Sequence, residues 1–311
     1  MAVILQQFAP RPCFASYSYA VPTTGPRGFS ATMPNMCQVA VAESASPVWN
    51  PRELITYFLL AYGISLLFWL PIFVVRNPSQ LFFFAGTFGP TVAAVVTHRI
   101  FAGNWRAVRL WTTMQDFLLG IASGASVVLI AAFTAAFFMT ESGIARWQWS
   151  ALFQILTLFG PNLLGGPLGE ESGWRGYALP RLQRRFDPLI GSLVIGFLWA
   201  NWHLPLLLAH VYDVTWWQFV ALTMAASIFL TFGFNKSRGN VCCAIIVHGV
   251  YNVGTGVILN DFVGKATLRS NAVQHNVLWM TYAGVAALLC IVTKGRLGYR
   301  TDASENIIPA V

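Results

Sequence analysis

The stretch GGPLGEESGWRGYALPRLQRR, residues 165–185, sets two adjacent carboxylates and an arginine directly behind a run of apolar residues. Its Gly/Pro-rich start bends or opens a helix, because proline lacks the N–H that an internal turn needs. Its end carries Arg181, Arg184 and Arg185, and Glu170, Glu171 and Arg175 lie between. Charge of this density is foreign to the rest of the chain. Of 311 residues, 56% are hydrophobic and 10% charged, against about 25% charged in soluble domains. Mean hydropathy is +0.59. This composition excludes a water-soluble globule and predicts an all-α, polytopic membrane protein.

A membrane span needs about 20 apolar residues. Eight such runs are present, near 54–75, 80–101, 117–139, 149–169, 189–210, 216–234, 241–260 and 276–293. The second contains GTFGPTVAAVV. The fourth contains FGPNLLGGPLG and is expected to kink or break near Pro161 or Pro167. Residues 49–296 read as one multi-span domain, with 297–311 as a short cytoplasmic tail. Residues 1–48 are rich in Pro, Ser, Ala and Thr, with Arg11 and Arg27 and no acid before Glu43. They read as a disordered or targeting-like tail, or as the product of a start upstream of a true beginning near Met33.

Eight spans place 15 of the 19 Lys and Arg on the side of the N-terminus and leave Arg76, Arg146, Lys265 and Arg269 opposite. The positive-inside bias then predicts an integral membrane protein with both termini cytoplasmic, in the plasma membrane if the source is bacterial. The same asymmetry accounts for the net charge of +8 without any nucleic-acid partner. The five cysteines show no CxxC spacing, and those in apolar runs read as small buried hydrophobes.

Ionisable groups inside spans are costly and point to function. Those present are Glu170 and Glu171 at the end of the fourth span, His203 and His210 in the fifth and His248 in the seventh, with Asn252 as a strong amide. His210 lies near a span end and reads as structural. On a continuous helix Glu171 and Arg175 form an i,i+4 pair. Its plain reading is a surface salt bridge, and its functional reading is that Arg175 holds Glu171 ionised. Glu170 then faces elsewhere without a local partner. A carboxylate desolvated in this way holds its proton more tightly, as a general base near neutral pH requires. His248 and Asn252 are also four apart on one face, as are Trp199 and His203. A single histidine in a span is equally well a packing residue bonded to a neighbouring helix.

These residues support two arrangements. Glu170, His203 and His248 could bind Zn²⁺ as three ligands with an open position. Without metal, Glu170 and His203 would polarise a water while His248 and Asn252 donate to a developing oxyanion. Both hydrolyse an amide. A non-enzymatic membrane protein, such as a transporter or a bacteriocin-immunity factor, is the alternative, since buried Glu and His also build ion pathways.

The pattern resembles the CPBP intramembrane proteases, a family that includes type II CAAX prenyl endopeptidases and Abi-type proteins. Its signature is Glu-Glu-x-x-x-Arg, then Phe-x-x-x-His, then His-x-x-x-Asn on successive membrane helices. Glu170, Glu171 and Arg175 match the first motif, and His248 and Asn252 the third. His203 matches the second, with Trp199 in place of Phe. The resemblance implies Glu170 as catalytic glutamate acting with His203, Glu171 and Arg175 as its support, and His248 and Asn252 as the oxyanion pair. It also implies a lipid bilayer and a protein or peptide substrate as partners, the substrate prenylated in the CAAX case. The entrance is expected on the cytoplasmic side. Simple counting from residue 189 places His203 deeper than Glu170 and His248, unless the fifth span begins later.

Overall fold

The computed structural model describes residues 49–134, 137, 152–212, 214–257 and 271–300. The readings of residues 1–48, of Arg146, Lys265 and Arg269, and of residues 301–311 lie outside the described residues. So do parts of the third, fourth and seventh expected spans.

Every regular element among the described residues is helical. In chain order these are α1 (Pro51–Val74), α2 (Gln80–Thr87), α3 (Gly89–Ala102), α4 (Met114–Thr134), α5 (Leu152–Gly165) and α6 (Pro167–Gly173). A π-helical turn (Trp174–Ala178) follows, then α7 (Leu179–Gln183), α8 (Pro188–Trp202), α9 (Leu204–Leu208), α10 (Trp216–Lys236), α11 (Val241–Val257) and α12 (Asn271–Thr293). Six segments are long and apolar enough to cross a membrane: 51–74, 80–102, 114–134, 188–208, 216–236 and 276–293. Val241–Val257 is a shorter apolar helix. The polytopic all-α architecture thus stands.

Local chemistry explains the interruptions. The fourth span breaks at Gly166, whose backbone adopts φ −159 and ψ −75. Pro167 opens the next helix at a position where no amide donor is needed. Pro161 stays inside α5. The second span divides at Phe88. The fifth divides at His203, ahead of Pro205. It begins at Pro188, so the later start considered for it does not occur.

The short helix α6 is seated by close backbone approach. A Cβ on Gly169 would lie 2.7 Å from the Thr87 carbonyl oxygen, and one on Gly173 would lie 2.5 Å from the Pro90 carbonyl. Thr91 Oγ1 donates to the Gly169 carbonyl at 2.6 Å, and Thr87 Oγ1 to the Gly165 carbonyl at 3.2 Å. GTFGPT therefore forms the bed on which α6 rests. Behind it, Ser65 of α1 donates to the Gly86 carbonyl at 2.7 Å. Small residues let helices approach this closely in a membrane, where apolar burial alone gives little drive for association. At the far end, Leu297, the first residue of the expected tail, is buried, and its carbonyl accepts from Asn235.

Candidate active site

The two glutamates diverge within one turn of α6. Glu171 is fully buried. Arg175 Nη1 reaches both of its oxygens, at 2.8 and 3.1 Å. The pair expected as a surface salt bridge on the plain reading is instead sealed in the core. The guanidinium continues inward: Nη2 donates to Ser227 Oγ at 2.9 Å, and Ser227 donates to the Ser192 carbonyl at 2.7 Å. Thr231 donates to Ser192 Oγ at 3.0 Å. This polar thread between α8 and α10 escaped the reading of the sequence. Its signal was available in Ser227 and Thr231, one turn apart in an apolar helix.

His248 is buried on α11, with Nδ1 2.8 Å from Glu171 Oε1. A carboxylate only accepts, so Nδ1 carries the proton. Arg175, Glu171 and His248 form one chain in which Glu171 fixes the imidazole and leaves Nε2 for other work. The pairing of His248 with Glu171 was not anticipated.

Glu170 is also buried and its carboxylate has no hydrogen bond to a local residue among those described, but one comes from 29 residues away: Trp199 Nε1 donates to its Oε2 at 2.7 Å. The other oxygen lies beside Gly166, where a Cβ would approach Oε1 to 3.3 Å. His203 follows one turn beyond Trp199, and its Nδ1 donates to the Trp199 carbonyl at 2.9 Å. Its ring packs among Trp202, Tyr212 and Phe219, with centroids 4.6, 5.9 and 5.1 Å away. Asn252 is half-buried on α11.

Depth counting had set His203 apart from the other groups, and the helix break shows how the gap is bridged. Trp199 stands level with Glu170 and lies edge-on to His248 at 5.2 Å and tilted against His203 at 5.8 Å. It therefore touches Glu170, Arg175, His203 and His248. Trp202 and Trp69 back this layer, with ring centroids 4.6 Å apart.

Glu170, His203 and His248 are the set a metal would need. Each keeps a ring nitrogen or carboxylate oxygen suited to Zn²⁺, but the Trp199 ring lies among them. No three His, Cys, Asp or Glu side chains gather as a metal-holding group among the described residues. As arranged, these residues do not fit the metal.

The chain is thus a helical membrane protein with a buried Arg-Glu-His chain and a second glutamate beside it. Comparison with known proteins gives the particular family. Residues 148–254 match the family described as type II CAAX prenyl endopeptidase Rce1-like. The chain is also 29% identical over 154 residues to CAAX prenyl protease 2 of Methanococcus maripaludis, covering 46% of this chain and 55% of that relative. The chain thus spans about half the length of the relative it matches. Both similarities are to CAAX prenyl endopeptidases, and each extends over part of the chain.

Proposed function

We propose that the chain is an intramembrane endopeptidase of the CAAX type, hydrolysing a peptide bond in a membrane-associated protein substrate. The observation that carries the reading is the unequal treatment of two neighbouring carboxylates. Glu171 is locked by Arg175 and His248, whereas Glu170 keeps Oε1 outside any hydrogen bond to a described residue. This is the division between a fixed structural charge and a working base.

In this reading Glu170 takes a proton from a water whose oxygen attacks the scissile carbonyl carbon. His203 Nε2, unprotonated because Nδ1–H is spent on a carbonyl, accepts a second hydrogen bond from that water. The carbonyl π electrons move onto oxygen. The imidazolium form of His248, balanced by Glu171, and the Asn252 amide donate to that oxyanion. Collapse of the tetrahedral intermediate breaks the C–N bond, and the proton held by Glu170 passes to the departing amine. Entry from the cytoplasmic face, cytoplasmic termini and a prenylated substrate belong to the same proposal. They are supported by the distribution of Lys and Arg and by the name of the relative.

The test uses the purified full chain in detergent with a prenylated CAAX peptide and a peptide library. Cleavage by the wild type and its loss in Glu170→Gln are expected. Cleavage at the wild-type rate by that variant would remove Glu170 from the chemistry. Proton flux in liposomes lost in His248→Ala, with no peptide cut, would replace the protease by a transporter.

A further inference from the structure

Position 199 holds Trp where the resembled motif has Phe, and the structure gives the indole nitrogen a use that no phenyl ring can supply. Indole N–H is a donor only. At 2.7 Å from Glu170 Oε2 it makes a charge-assisted bond whenever that carboxylate is ionised. This is the one hydrogen bond that holds the Glu170 side chain among the described residues. Without it, a carboxylate only 5% exposed would keep neither oxygen paired, an expensive state in a low-dielectric interior.

The indole is itself firmly placed. Trp199 is 4% exposed. Its ring lies 5.3 Å from the Arg175 guanidinium, a cation–π arrangement that ties it to the fixed half of the site. On the same helix, a Cβ at Gly196 would lie 2.8 Å from Met224 Cα, so α8 sits directly on α10. Tyr62 of α1 donates its hydroxyl to the Leu198 carbonyl at 2.5 Å, anchoring the residue before the tryptophan. The main chain of Trp199 then orients His203 through its carbonyl.

We propose that Trp199 is a positioning residue of this site. Its indole N–H binds Glu170 Oε2 and turns Oε1, beside the side-chain-free Gly166, toward the reacting water, while its carbonyl selects the His203 tautomer with Nε2 unprotonated. This rests on the reading of Glu170 as the general base. It adds that one residue couples that base to His203, and that the aromatic ring alone does not suffice.

Two measurements test it separately. With the full chain in detergent and the prenylated peptide, Trp199→Phe keeps the ring and deletes the donor. It is expected to lower kcat about 10- to 100-fold, the scale of a misplaced catalytic group, with KM within about twofold, and to lower the unfolding midpoint because the buried carboxylate loses its partner. A kcat equal to wild type would overturn the proposal. In ¹⁵N-indole-labelled protein, the resonance that vanishes in Trp199→Phe is expected downfield in the wild type and upfield in Glu170→Ala. No movement in Glu170→Ala would overturn the bond itself. The second measurement needs no turnover, so a chain that cuts no peptide would fail the protease reading while the indole resonance still judged the positioning.

Discussion

The innermost and outermost helices of this protein differ in the opposite sense to those of a soluble globule. The windows over α1 and over 276–293 of α12 have mean hydropathies of 2.0 and 1.7, yet only 22% and 11% of their residues are buried inside the protein. The windows over α8–α9 and α10 have lower values, 1.4 and 1.5, and are 50% and 61% buried. Lipid is as apolar as a leucine core, so the greasiest segments have no reason to turn inward. What draws α8 and α10 to the centre is polar: Ser192, Ser227 and Thr231 bond one another and Arg175, which in turn holds Glu171. The buried centre gathers the ionisable groups, and the rim carries solubility in the bilayer.

That contrast is open to attack at graded strength. The largest expected effect comes from Glu171→Gln. It leaves Arg175 with no carboxylate in a fully buried position, and breaking a buried pair in this way destabilises by about 3–5 kcal/mol. The measurement is the unfolding midpoint in detergent, and a value equal to wild type would show the centre to be softer than described. The same exchange one residue earlier, Glu170→Gln, is expected to do the reverse. Turnover falls about 10²- to 10⁴-fold, the usual contribution of a positioned base, while the midpoint stays put. If both variants lose stability and activity equally, the division between the two glutamates disappears.

Gly173→Ala probes the bed under α6 without touching a charge. Its Cβ would meet the Pro90 backbone, so a loss of about 1–3 kcal/mol is expected from overpacking. Neutral behaviour in the same unfolding assay would mean that α6 can shift off GTFGPT. At the rim, Ile291→Ala is expected to change the midpoint by no more than about 0.5 kcal/mol, since Ile291 is 74% exposed to what would be lipid. The smallest expected effect is that of a chelator. The three residues a metal would need are not gathered around a common point, so turnover before and after chelation should agree, with metal content measured in parallel.

Much of this was legible before any coordinates. Composition and run length gave the helical membrane class, because the bilayer imposes both on any chain that crosses it. The Gly/Pro segment foretold the break at Gly166–Pro167, a local backbone matter. The i,i+4 rule foretold the union of Glu171 with Arg175, since helical spacing alone brings them together. The reading failed where partners lie far apart in sequence. His248 belongs to Glu171, 77 residues away, and Trp199 to Glu170, 29 residues away. The π turn at Trp174–Ala178 carried no signal that periodicity could detect. Such turns gather at functional sites, and this one includes Arg175.

By itself, then, the sequence determined which residues are polar in an apolar chain and which of them share a helical turn. Local spacing and the demands of the bilayer are sufficient for that. Only the tertiary structure decided which distant groups meet Glu170 and Glu171. The outcome depends on which helix face lies opposite each carboxylate: a histidine for Glu171, and an indole N–H for Glu170. Those faces are brought together by close glycine contacts between α6 and α3 and between α8 and α10, which no spacing rule along a single chain contains.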